Sequence, residues 1–105
     1  MMDRDDARVL ISRTLENHLI EWANSYYQVT ACRLILKAFN EPVTRAAINN
    51  GVNSECNSML RKVSKFKDYM LEDSYEYVCQ MIQDLKQDTQ NTIIKTLTSE
   101  GGILL

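Results

Sequence analysis

The chain has 105 residues, 45% of them hydrophobic and 25% charged, with 3 Gly, 1 Pro and a formal net charge of -2. That length fits one domain, and those proportions are globular averages, which speaks against general disorder and against a membrane-embedded chain. So few turn-forming residues argue against an all-β fold, and an all-α bundle of four to five helices is expected.

The first helix is predicted from about Asp5 to Tyr27. Ile11, Leu15, Leu19, Trp22 and Tyr26 recur at steps of three and four, which places them on one face. Val9, Ile20, Ala23 and Tyr27 widen that stripe, and Asp3, Asp5 and Asp6 suit the positive end of the helix dipole. A second helix is expected over Thr30 to Phe39, with Cys32, Ile35 and Phe39 sharing a face. Asn40, Glu41 and Pro42 then end it, because the residue before a proline resists helical geometry.

A short third helix is predicted over Arg45 to Asn50, capped by Thr44 and closed by Gly51. Ser54 reads as the cap of a fourth helix carrying Met59, Val63, Phe66 and Met70. A break is expected at Asp73 and Ser74, where Asp73 and Glu76 have the spacing of a capping box. The last helix carries Tyr75, Val78, Ile82 and Leu85 and extends to about Ile94 or Leu97, before a frayed tail from Ser99. The expected organisation is a single helical domain: an N-terminal helix (1–28), a basic central unit (29–67), a C-terminal helix (68–98) and the tail (99–105).

Charge is segregated along the chain. Residues 29–67 hold Arg33, Lys37, Arg45, Arg61, Lys62, Lys65 and Lys67 against Glu41 and Glu55, a balance of +5. The flanking segments balance at -2 and -5, which together restore -2. A basic middle between acidic ends suits a small nucleic-acid reader with a separate oligomerising region. A solvated helix face explains the same charges equally well.

Within the basic segment, Val43 to Lys67 combines a short helix bearing Ala47, a glycine at Gly51, an apolar Val52 and a capped second helix. This stretch resembles the helix-turn-helix of DNA-binding regulators. Asn50 and Asn57 depart from that pattern, since apolar residues are usual at both positions. The resemblance implies a second helix lying in the major groove. Asn53, Glu55, Asn57, Ser58 and Arg61 would then face base edges, and Thr44, Arg45, Lys62, Lys65 and Lys67 would meet phosphates. A plain corner between two helices is the alternative.

No catalytic constellation stands out. His18 is the sole histidine, expected at the edge of the core, and no glycine-rich phosphate loop or GxSxG is present. Cys32, Cys56 and Cys79 match no metal-knuckle spacing, so no metal and no cofactor are expected. They read as free, mostly buried thiols in a reducing, cytoplasmic setting, with Cys56 the most reactive if it lies in a first helical turn. The acidic start and the lack of an apolar run argue against a secretory leader and a membrane span.

Two function classes follow. One is a homodimeric DNA-binding transcription regulator or accessory protein, paired through its first or last helix. The other is a non-enzymatic helical adaptor or inhibitor acting on a protein partner, of the kind that phages, viruses or plasmids encode. Its surface would draw on Trp22, Tyr26, Tyr27, Tyr75, Tyr77 and the methionines.

Overall fold

Asp3 opens the first helix by accepting a 2.8 Å hydrogen bond from the Asp6 backbone N–H, and the carboxylates of Asp5 and Asp6 complement the dipole in the turn that follows. The computed structural model describes residues 3–100, and in it this helix, α1, runs without interruption over Arg4–Asn40. At 37 residues it extends about 55 Å. The predicted gap near residues 28–29 is absent. Val29 and Thr30 are weak helix formers but not breakers, and Thr30 is buried against the rest of the fold. Pro42 ends α1 as expected, with the Glu41 N–H reaching back to the Lys37 carbonyl at 2.9 Å.

The second helix, α2, covers Arg45–Ser64. Thr44 caps it as predicted, its Oγ1 accepting from the Ala47 N–H at 3.0 Å. The helix then passes straight through Gly51, so no turn separates two helices there and Ser54 lies mid-helix. Ile48, Val52, Cys56, Met59 and Val63 form one continuous buried stripe along α2. That stripe explains the outcome: its steps of three and four run across Gly51 unbroken, so packing favours helix through the glycine.

Lys65 and Phe66 turn the chain, a short 3-10 segment follows at Lys67–Tyr69, and α3 covers Glu72–Glu100. The break therefore falls several residues before Asp73. Asp73 sits inside the first turn, where its Oδ1 accepts from the Ser74 N–H at 2.9 Å. At the entrance to α3 the Leu71 N–H finds its acceptor in another helix, donating to Ser12 Oγ at 2.9 Å. Ser99 and Glu100 belong to α3, and the rest of the predicted tail lies outside the described residues.

The described residues thus form three α-helices, all-α but fewer than expected, in an up-down-up arrangement 59 × 19 × 16 Å. Ser12 beside Leu71 and Tyr27 beside Ile82 show that α1 and α3 run parallel. Gln90, late in α3, lies beside Asn49 and Asn53, early in α2, while the end of α2 leads through a short link to the start of α3, so α2 runs against α3. Tyr27, Ile48, Val52, Met59, Val63, Val78, Ile82, Ile93 and Leu97 fill the core between them. The inward face of α1 is made of Ser12, Ala23, Tyr27, Thr30 and Ala38, all buried. Small side chains there let the helix axes approach closely.

This reverses part of the sequence reading of α1. Ile11, Cys32 and Phe39, expected in the core, are exposed, and Leu15, Leu19, Trp22 and Tyr26 are half-buried. Large apolar side chains dominate a hydrophobicity pattern, whereas close helix packing here selects serine, alanine and threonine. Ile20, Leu34 and Ile35 also pack against the core, so α1 carries apolar side chains on more than one face.

Candidate functional site

The ten residues singled out on α2 and its flanks divide by what they touch. Thr44 is engaged in its cap. Asn53 accepts at its Oδ1 from Gln90 Nε2 at 3.0 Å, tying α2 to α3. Glu55 pairs with Arg33 of α1 at 3.3 Å, so its carboxylate is turned toward α1. Lys62 stands over the Tyr26 ring and Lys67 over the Tyr75 ring, each 5.6 Å from the centroid. Ser58 is half-buried, while Arg45, Asn57, Arg61 and Lys65 are exposed.

The structure brings Asn57, Arg61 and Lys65 into one outward row at steps of four along α2. It does not gather the cations into one patch. Arg45 opens α2 and Lys65 closes it, about 30 Å away. Arg61, Lys62 and Lys65 lie at the negative dipole end of α2 and close in sequence to Glu72 and Asp73 in the first turn of α3. A helix presented by a turn at Gly51 would project from the fold, but α2 lies along it for its whole length.

One buried polar cluster joins all three helices. Tyr27 Oη donates to the Ile82 carbonyl at 2.9 Å, and the Cys56 thiol of α2 lies alongside. Burial, then the neighbouring Cys56 and Glu55, push the Tyr27 phenol far above its ordinary range. Tyr75 is raised in the same direction by burial and by Cys79 one turn on. Tyr27 is thereby a packing group with a satisfied hydroxyl.

The cysteines are free, and they differ in access: Cys32 is exposed, Cys79 intermediate and Cys56 buried. Cys56 lies mid-helix, so the dipole argument for its reactivity no longer applies. His18 is exposed on α1 instead of sitting at the core edge. Among the described residues no group of three His, Cys, Asp or Glu side chains could hold a metal ion, and no helix is long and apolar enough to cross a membrane.

Sequence reasoning missed the most extensive surface feature. Large apolar side chains are exposed on α1 at Leu10, Ile11, Val29, Leu36 and Phe39, with Leu36 at 64% and Val29 at 67%. Four of them fall on a single line along the outer side of α1, on which Leu15 and Trp22 are half-buried against the core. The line starts at Ile11, Leu15, His18 and Trp22, and continues through Ser25, Val29, Cys32, Leu36 and Phe39. The steps alternate four and three over 29 residues, the spacing of a heptad seam. The signal was present in the sequence as an apolar pattern on α1, but it was assigned to the core. Tyr27 is buried and Tyr26 and Tyr75 are half-buried, so of the aromatics expected at a surface only Tyr77 is exposed, with Trp22 at the edge of the α1 line.

In comparisons with protein-family models, with curated proteins and with solved structures, nothing matches this chain.

Proposed function

We propose that this chain is a non-enzymatic protein-interaction module whose working surface is the outer face of α1. The observation that carries the reading is the line from Ile11 to Phe39 on the outer side of α1, where Ile11, Val29, Leu36 and Phe39 are exposed and Leu15 and Trp22, half-buried, also touch the core. Single exposed apolar residues are normal on any surface. A line in heptad register over about eight turns is a different matter, because it is the shape an opposing helix fills with interlocking side chains. A helix with apolar residues on two opposite faces also needs two coverings, and α2 and α3 supply only one.

A photo-crosslinking amino acid at Leu36, irradiated in the living cell, tests this. A discrete crosslinked product at Leu36, with none at the exposed Gln83 of α3, is the expected result. Equal products at both positions, or none at either, would remove the reading.

The outward row of Asn57, Arg61 and Lys65 supports a second reading, contact with DNA through α2. A gel-shift series across salt concentration decides it. Binding that weakens steeply with salt and is lost in Arg61→Ala favours DNA, and no binding at low salt discards it.

A further inference from the structure

The α1 line raises a narrower question, which is what covers it. Any answer rests on reading that face as a docking surface. We infer that the occupant is a second copy of this chain, with the two α1 helices packed antiparallel about a two-fold axis close to Ser25.

The first ground is self-complementarity. A two-fold interface sets one surface patch against itself, so a residue and its opposite number must fit in both directions. Reversing the α1 line about Ser25 returns the same line to within one residue. Trp22 then lies level with Val29 of the second copy, His18 with Cys32, Leu15 with Leu36 and Ile11 with Phe39. At three of the four levels the bulkier side chain meets a smaller one, and the short Ser25 meets itself where the axes come closest. A parallel pair would stack Trp22 on Trp22, His18 on His18 and Phe39 on Phe39, which cannot interlock as well.

Charge is the second ground. Asp3 to Asn24 carries five acids and three bases, a balance of -2. Ser25 to Asn40 carries Arg33 and Lys37 and no acid, a balance of +2, with Arg33 paired to Glu55 at 3.3 Å and Lys37 to Glu41 at 3.7 Å within the chain. Antiparallel pairing keeps the two acidic halves apart, and parallel pairing lays them side by side. Charge arrangements of this kind select orientation more than they add affinity.

Area and shape are consistent with the same partner. From Ile11 to Phe39 the line is about 42 Å long, and a helix is roughly 10–12 Å across. Two copies therefore bury on the order of 1,000 Å² together, the lower bound for a specific interface and typical of a reversible one. A strict heptad line drifts by about 20° per repeat around a straight helix, so the pair would wrap gently in a left-handed sense.

The test uses the whole purified chain. In a chain carrying Cys32→Ser and Cys79→Ser, Ser25→Cys places one thiol near the proposed axis, and mild oxidation should join two chains through it. The control moves the thiol: with serine kept at residue 25 and Cys32 restored, oxidation should give little covalent dimer, because antiparallel packing sets Cys32 against His18. Sedimentation equilibrium of the unmodified protein should show a concentration-dependent mass rising from 12.1 kDa toward twice that value. Leu36→Glu, on an exposed side chain that leaves the bundle intact by circular dichroism, should weaken association about a hundredfold or more, since each dimer buries the charge twice. Crosslinking through Cys32 in preference to residue 25 would overturn the antiparallel geometry. A mass fixed at 12.1 kDa up to high micromolar concentration would overturn the second copy as occupant. The docking reading itself would survive that result if Leu36 still captured a different protein in the cell, and would fall with it if Leu36 captured nothing.

Discussion

Tyr27 Oη and the carbonyl oxygen of Ile82 lie 2.9 Å apart in the core, so the middle of α1 is fastened to the middle of α3 by a side chain 55 residues away in sequence. The phenol ring is 2% exposed and sits beside Cys56 of α2, so one residue touches all three helices. Tyr27→Phe keeps the ring and removes the donor. A loss of about 1 kcal/mol is expected at neutral pH, since the carbonyl lies inside a helix that offers it another partner. The pH dependence adds a sharper signature. The native phenol is raised above its ordinary value of 10.0, so the native state holds a proton that the unfolded state gives up. Its contribution is complete below pH 10 and is lost as pH rises further, at up to about 1.4 kcal/mol per unit. Denaturant unfolding of the parent and of Tyr27→Phe across alkaline pH should show a shallower decline in the variant. Identical slopes would show that another group governs alkaline unfolding.

Ser12 supplies a second long-range backbone anchor. It is fully buried, and its hydroxyl takes the Leu71 N–H at the point where the chain enters α3. Ser12→Ala leaves that amide without its acceptor, at an expected cost of about 1–2 kcal/mol. The exposed Ser64→Ala, whose hydroxyl bonds only within α2, should change stability by less than about 0.5 kcal/mol. Thermal unfolding of the pair measures the contrast, and equal effects would remove the anchoring role.

Gly51 distinguishes a continuous α2 from a helix-turn-helix. A methyl group built there lies 3.5 Å from Leu34 Cδ1 and 3.6 Å from Cδ2, ordinary contact distances. Gly51→Ala should therefore stabilise the protein by about 0.5–1 kcal/mol, the usual gain for replacing glycine inside a helix. In a turn that needs a left-handed glycine the same substitution would lower the melting temperature. A fall in melting temperature would restore the turn.

The helical class, the stop at Pro42, the Thr44 cap and the α2 core positions Val52, Met59 and Val63 were legible in the sequence, because each follows from local chemistry or strong periodicity. The number of helices was not. A glycine in the middle of a helix and one at its end look alike until tertiary packing is known, and Val29-Thr30 looks like a weak point until Thr30 is seen to be buried. Ala23 and Tyr27 of the predicted α1 stripe are buried and Leu15, Leu19, Ile20, Trp22 and Tyr26 pack against the core, but Ile11, Cys32 and Phe39 were misplaced for a related reason. Hydrophobicity ranks Ile11, Cys32 and Phe39 above Ser12, Ala23 and Thr30, but close helix approach rewards the smaller set. Of the ten residues proposed on α2 and its flanks, the sequence placed Asn57, Arg61 and Lys65 correctly on one outer row. It could not show that Asn53 belongs to Gln90, or Glu55 to Arg33, since those partners lie 37 and 22 residues away.

That division of labour on α2 is itself testable. Asn57→Ala and Arg61→Ala remove exposed groups and should alter stability by less than about 0.5 kcal/mol. Asn53→Ala leaves the buried Gln90 with only the weaker 3.3 Å contact to the Asn49 carbonyl, and should cost about 1 kcal/mol. Chemical denaturation of the three variants checks the order. A cost for Arg61→Ala as large as that for Asn53→Ala would mean that the outer row also packs against something.

The rate at which Cys32 is alkylated, followed against protein concentration, tests most directly whether the outer face of α1 closes on a second copy. Cys32 is exposed in the single chain and lies on the α1 line, whereas Cys56 is buried within the bundle in either state and serves as the internal reference. Dimer formation predicts rapid labelling of Cys32 in dilute protein, slowing in step with the sedimentation mass as concentration rises, with Cys56 slow throughout. A Cys32 rate constant that stays the same from dilute to concentrated protein would contradict it.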